Sequence, residues 1–96
     1  MERQAHDQEQ AERMVQQGMR LLGLRQEDLA STPKGQTEKQ VLAWWLQGRT
    51  TVTRRWIAEN LHMGYETRVN QAVSWVKSSR ASDVAEMRKK LAEHGS

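Results

Sequence analysis

The chain has 96 residues, of which 36% are hydrophobic, and no cysteine. That allows one small core and excludes disulfides, thiolate nucleophiles and cysteine-based metal sites. No apolar run approaches the roughly 18 residues of a membrane span, and the polar, acid-bearing start MERQAHDQEQ predicts no signal peptide. The net charge of +3 is uneven: residues 1–33 carry −2, residues 34–80 carry +5 and residues 81–96 are balanced. The central excess comes from Lys34, Lys39, Arg49, Arg54, Arg55, Arg68, Lys77 and Arg80 against three acids. A localised excess suits a polyanionic partner, with a solvated basic surface as the alternative.

Helical periodicity runs through the whole chain, and strand signals are nearly absent. Ala11, Met14, Val15, Gly18, Met19 and Leu22 recur at i, i+3, i+4, i+7, i+8 and i+11. This predicts an amphipathic helix over residues 5–22 ending at Gly23. Residues 25–30 suggest a short helical turn that lodges Leu29, and Ser31-Thr32-Pro33-Lys34-Gly35 has the composition of a loop. A second helix is expected to open at Thr37, with Gln40 completing a capping box, and to stop at Gly48. Val41, Leu42, Trp45 and Leu46 line its inner side, with Trp44 at the margin. Four Trp and no Phe imply that a few large anchors carry much of the burial.

A third helix is predicted over residues 53–62. Thr53 is its N-cap, and Val52 with Ile57 forms a hydrophobic staple. Trp56, Ile57 and Leu61 face inward, Ala58 is small enough for a close helix crossing, and His62-Met63-Gly64 breaks the helix. A fourth helix from about Glu66 buries Val69, Ala72, Val73 and Val76. A last helix, capped by Ser82, buries Val84, Met87 and Leu91, leaving Arg88-Lys89-Lys90 as a solvated run. Trp45, Trp56, Ile57, Leu61, Val69 and Val73 should share one core. The expected fold is an all-α domain over residues 1–96 with about five helices. A central helix-turn-helix at about 53–78 is of the Trp-repressor-like or homeodomain-like kind, and the polar termini are candidates for disorder.

Two short helices joined by a Gly-containing turn form the helix-turn-helix arrangement, although many helical hairpins share its apolar pattern without touching DNA. The spacing from Ile57 to Val69 is one residue longer than in a minimal repressor motif. The outward positions carry the chemistry. Thr67, Arg68, Asn70, Gln71, Ser74 and Lys77 supply the donors and acceptors that read base edges and phosphates. Arg54 and Arg55 sit in a helical first turn, where positive charge opposes the dipole but meets the phosphate backbone in this motif. Tyr65, just before the second helix, completes the candidate DNA-binding set. Arg68 and Gln71 share a face, so they are the expected base readers, with Asn70 nearer the flank.

The segments KGQTEK at 34–39 and TTVTRRWIAENLHMGYETRVNQAV at 50–73 resemble the C-terminal region of REP-associated tyrosine transposases, where related stretches read like KGDPRK and TTVSxRWIAERLxMG. The resemblance extends from residue 11 to about 77, and WIAENLHMG is its most specific part. It implies a DNA-binding helical module that follows a catalytic domain, one with a paired-His metal motif and a Tyr nucleophile acting on single-stranded DNA. The chain departs from that catalytic pattern: His6, His62 and His94 are scattered, and the only Tyr, Tyr65, stands where the family often has His. Catalysis is therefore not carried over, and no metal or other cofactor is expected. The chain is either a fragment of such a protein or a stand-alone relative. The expected partner is DNA, duplex or hairpin, in a cytoplasmic, bacterial-type setting linked to mobile-element or repeat recognition. The alternatives are a helical protein-interaction module and a binder of RNA or DNA hairpins, with a protein partner or a missing catalytic domain as a further candidate partner.

Overall fold

The computed structural model describes the backbone of residues 2–25, 27–28 and 36–95 and the side chains of residues 8–25, 27–28 and 37–93. The first helix, α1 (Glu2–Leu22), turns Ala11, Met14, Val15, Gly18 and Met19 inward. It ends where glycine can take a left-handed conformation: Gly23 has φ 73°. The Gly23 amide donates to the Arg20 carbonyl at 3.3 Å and the Leu24 amide to the Met19 carbonyl at 2.7 Å. These are the paired bonds of a Schellman cap. Just beyond, the Arg25 amide donates to Asp28 Oδ2 and the Asp28 amide to the Arg25 carbonyl, both at 3.0 Å. The helical turn expected there thus has its first residues in place. Leu29, the 31–35 loop and the N-cap of the next helix lie outside the described residues.

The second helix, α2 (Gln36–Arg49), packs against every other helix of the described chain. Its buried positions are Lys39, Val41, Leu42, Ala43, Trp45 and Leu46, which at about 100° per residue sweep over half its circumference. Two expectations are corrected here. Thr37 lies inside the first turn rather than at the cap, and the helix runs through Gly48 to Arg49. Gly48 is exposed and lacks the positive φ of a helix stop. Mid-helix glycine costs about 1 kcal/mol. The end is closed instead by Thr50, whose amide and hydroxyl both donate to the Leu46 carbonyl, at 2.9 and 2.8 Å.

Three further helices follow: α3 (Arg54–Asn60), α4 (Glu66–Ser78) and α5 (Ser82–Gly95). α4 buries Val69, Ala72, Val73 and Val76, the four positions its periodicity marks. Ser82 opens α5 as a helical residue rather than as its cap, and the Ala85 amide reaches back to the Ala81 carbonyl at 3.1 Å. Val84 and Leu91 are buried and Met87 is partly so. Arg88 is not simply solvated. It is half-buried, with its guanidinium 4.9 Å from the centroid of the Trp44 ring, a cation–π contact joining α5 to α2. The protein is all-α, with five helices and no strand among the described residues, and their buried side chains form one cluster. Of the six expected core residues, Trp45, Ile57, Leu61, Val69 and Val73 are buried, while Trp56 is only partly buried against them.

Gly18 sets how closely α1 approaches α2. A Cβ at this position would overlap Leu42 Cδ2 and lie 3.1 Å from Trp45 Cζ3, and both neighbours are buried. Helix propensity favours replacing an interior glycine, but here overpacking opposes it, at about 1–3 kcal/mol. Gly18→Val should therefore lower stability by about that much, read as a reduced urea midpoint at unchanged m-value.

Candidate nucleic-acid interface

The N-terminus of α3 is built by Thr53, whose hydroxyl accepts from the Trp56 amide at 3.0 Å, with Val52 packed against the core behind it. The cap is the expected one, and Val52 packs against the cluster that includes Ile57. The cap fixes Arg54 and Arg55 as the first two helical residues, and both are exposed. Arg55 Nε donates to Glu59 Oε1 at 3.2 Å, one turn on. The carboxylate thus offsets part of the cost that the dipole imposes on Arg55.

At its other end α3 closes with a second Schellman-type bond, from the Met63 amide to the Ala58 carbonyl at 2.8 Å. Here the left-handed position holds a histidine: His62 has φ 55°, and Gly64 follows at φ 92°. A non-glycine residue there costs roughly 1–2 kcal/mol, so the turn carries strain that the surrounding contacts must offset. One such contact comes from α2. Lys39 Nζ donates to the His62 carbonyl at 3.4 Å, and Lys39 is only 4% exposed.

Beyond the turn, Tyr65 is the N-cap residue of α4; its side chain makes no capping bond and is 72% exposed. Thr67, Arg68, Asn70, Gln71, Ser74 and Lys77 are all exposed. With Val69, Ala72, Val73 and Val76 facing inward, the 100° turn per residue places Thr67, Gln71 and Ser74 farthest from the core. Arg68 then lies on one flank, and Asn70 and Lys77 on the other. A surface groove lined by Arg55, Glu59, Tyr65, Glu66 and Thr67 joins α3 to the start of α4. The structure therefore brings Arg55, Tyr65 and Thr67 together, while Lys77 stands in the last turn of α4.

Two features escape the sequence reading. Trp75, 40% exposed, follows Arg68 at i+7, so the two share one flank, bordering Gln71 on the outermost face. The signal was its position outside the Val69–Val76 stripe. Lys39, counted among the basic residues of the central segment, is not on the surface at all. It stands at i−3 from Leu42 and i−7 from Leu46, within their apolar stripe, and that spacing announced its burial. Among the described residues of that segment Arg49, Arg54, Arg55, Arg68, Lys77 and Arg80 are exposed cations, and Lys34 lies outside the described residues.

Among the described residues no three His, Asp or Glu side chains converge as metal ligands, and no helix is long and apolar enough to cross a membrane. Burial lowers the Lys39 pKa below its ordinary 10.5 by desolvating the ammonium. The unfolded chain then holds more protons than the folded one between the lowered value and 10.5, and stability rises with pH across that window. Below the window the full cost of the buried charge applies. Denaturant titrations from neutral pH to about 10.5 should show the parent gaining stability relative to Lys39→Met as pH rises. A constant difference would mean that the ammonium is not desolvated in solution. Comparison with protein-family models, curated proteins and solved structures finds no match to this chain.

Proposed function

We propose that the chain is a helix-turn-helix DNA-binding module in which α4 enters the major groove and α3 lies against the phosphate backbone. The observation that carries this reading is the division of α4. Four small or β-branched residues face the core, while Thr67, Arg68, Asn70, Gln71 and Ser74 are exposed side by side. These are the side-chain types that pair with base edges. Arg55 and Thr67 line one groove, so a backbone contact from α3 and a base contact from α4 fall within reach of a single duplex. Arg54 and Arg55 gain at phosphates what they lose to the dipole.

On this reading the chain binds rather than catalyses, in the cytoplasm of a bacterial cell, and is related to the region that follows the catalytic domain of REP-associated tyrosine transposases. The resemblance of 34–39 and 50–73 to that region supports the relation. One observation favours a second reading, a protein-docking module: Trp75 and Tyr65 are large and exposed, as in interface anchors.

Binding separates the two readings. Arg54→Ala combined with Arg55→Ala should weaken binding to all DNA sequences alike and reduce the salt slope by up to about two, measured by fluorescence anisotropy across a salt titration. An unchanged slope would remove the backbone role. Selection from a random duplex library should yield a preferred site. Gln71→Ala should relax it at one position, losing roughly 1–3 kcal/mol of discrimination, while Asn70→Ala lowers affinity more evenly. If no site emerges, or only hairpins are enriched, groove reading by α4 fails.

A further inference from the structure

We propose that Lys39 is a positioning residue for the DNA-binding module: from the interior of α2 it holds the His62 carbonyl and so fixes the direction in which α4 leaves the turn. This inference rests on the DNA-binding reading for its consequence, but its geometry stands apart from it.

Lysine is rarely buried without a partner, because the ammonium loses its hydration. At 4% exposure, the acceptor for Lys39 among the described residues is the His62 backbone carbonyl at 3.4 Å. That carbonyl belongs to the residue with the left-handed conformation, His62 at φ 55°. It also lies just past the C-terminus of α3, where unpaired carbonyls concentrate negative potential that a cation neutralises. α3 has seven residues, too few to hold its own end rigid. The peptide plane between His62 and Met63 is therefore gripped from two sides. The Met63 amide is tied to the Ala58 carbonyl at 2.8 Å, and the His62 carbonyl is tied to α2.

Release of the second tie lets His62 relax toward a right-handed conformation. That rotation would swing the next residues, Gly64 and Tyr65, and with them Thr67 and Arg68. Arg54 and Arg55, at the opposite end of α3, would stay in place. The relative placement of backbone contacts and base contacts thus depends on a side chain that touches neither.

Lys39→Met keeps the buried stem and removes the donor, while Lys39→Gln is too short to reach His62. Either variant decides the question if the other does not fold. In the folded variant, hydrogen exchange at the Met63 amide should accelerate about tenfold or more relative to the amides of α1. Affinity for the duplex selected by the parent should fall about tenfold. His62→Gly removes the conformational penalty, so adding it to Lys39→Met should restore both duplex affinity and Met63 protection measured relative to the amides of α1, whereas a gain in general stability alone would raise protection in α1 as well. Parental protection at Met63 in the single variants, or a double variant as impaired as Lys39→Met, overturns the proposal. If the parent selects no duplex, the DNA-binding reading fails while the exchange measurement still decides whether Lys39 holds the turn.

Discussion

Contact with α2 is the constraint on which the rest of the fold depends. A chain with five aromatic residues and 36% hydrophobic content cannot supply several separate cores, so its helices bury their stripes against a common partner. α2 serves because over half its circumference is buried, and each of the other four helices touches it. The closeness of that packing is set at Gly18, where α1 has no side chain and Leu42 and Trp45 fill the space. A helix with an ordinary side chain there would stand farther off and open a gap along the α1–α2 seam. Gaps in a core this small are expensive, because few other contacts remain to offset them.

The candidate interface inherits its geometry from that hub. The inner face of α4 lies against α2 and α3, so the outer face is determined once Val69 and Val73 are seated. The two Schellman-type ends show where the chain is relaxed and where it is held. Gly23 closes α1 without steric cost, whereas His62 closes α3 in a conformation that favours glycine. The second of these ends leads directly into α4. Strain at that joint, next to a buried lysine from the hub, couples α2 to the surface opposite it.

Much of this was legible from spacing alone. The stripes on α1 and α4, the Thr53 cap and the Gly23 stop depend on local rules that operate within one or two turns, and the structure has them where periodicity places them. Gly48 was misleading because glycine marks a helix end only when the backbone turns left-handed there, and the helix instead closes on the Thr50 bonds to the Leu46 carbonyl. Thr37 and Ser82 were each assigned as caps one or two positions inside the helix that forms, the usual uncertainty of helix ends. Lys39 was assigned by charge when its position in the Leu42–Leu46 stripe was the better guide. Trp56 had inward spacing, yet it is only half-covered, because α3 lies at the periphery and its groove toward α1 stays open. The exposure of Trp75 and the pairing of Arg88 with Trp44 depend on how helices are placed relative to one another, which single-helix periodicity does not encode.

The acids near the interface bear on what kind of DNA binder the proposed role requires. Glu59 pairs with Arg55, and Glu66 stands at the first turn of α4 beside Thr67. Each suits its helix. Glu59 relieves an arginine placed against a dipole, and Glu66 sits at the end where a carboxylate is stabilising. Each also repels phosphate, so Arg55 must exchange Glu59 for the backbone when DNA arrives, at a cost comparable to the few tenths of a kcal/mol that an exposed i, i+4 pair contributes. With Lys39 buried, one charge fewer than the sequence suggests is available for phosphate contacts on the proposed reading. On that reading the exposed Thr67, Arg68, Gln71 and Ser74 supply the contacts that distinguish one site from another.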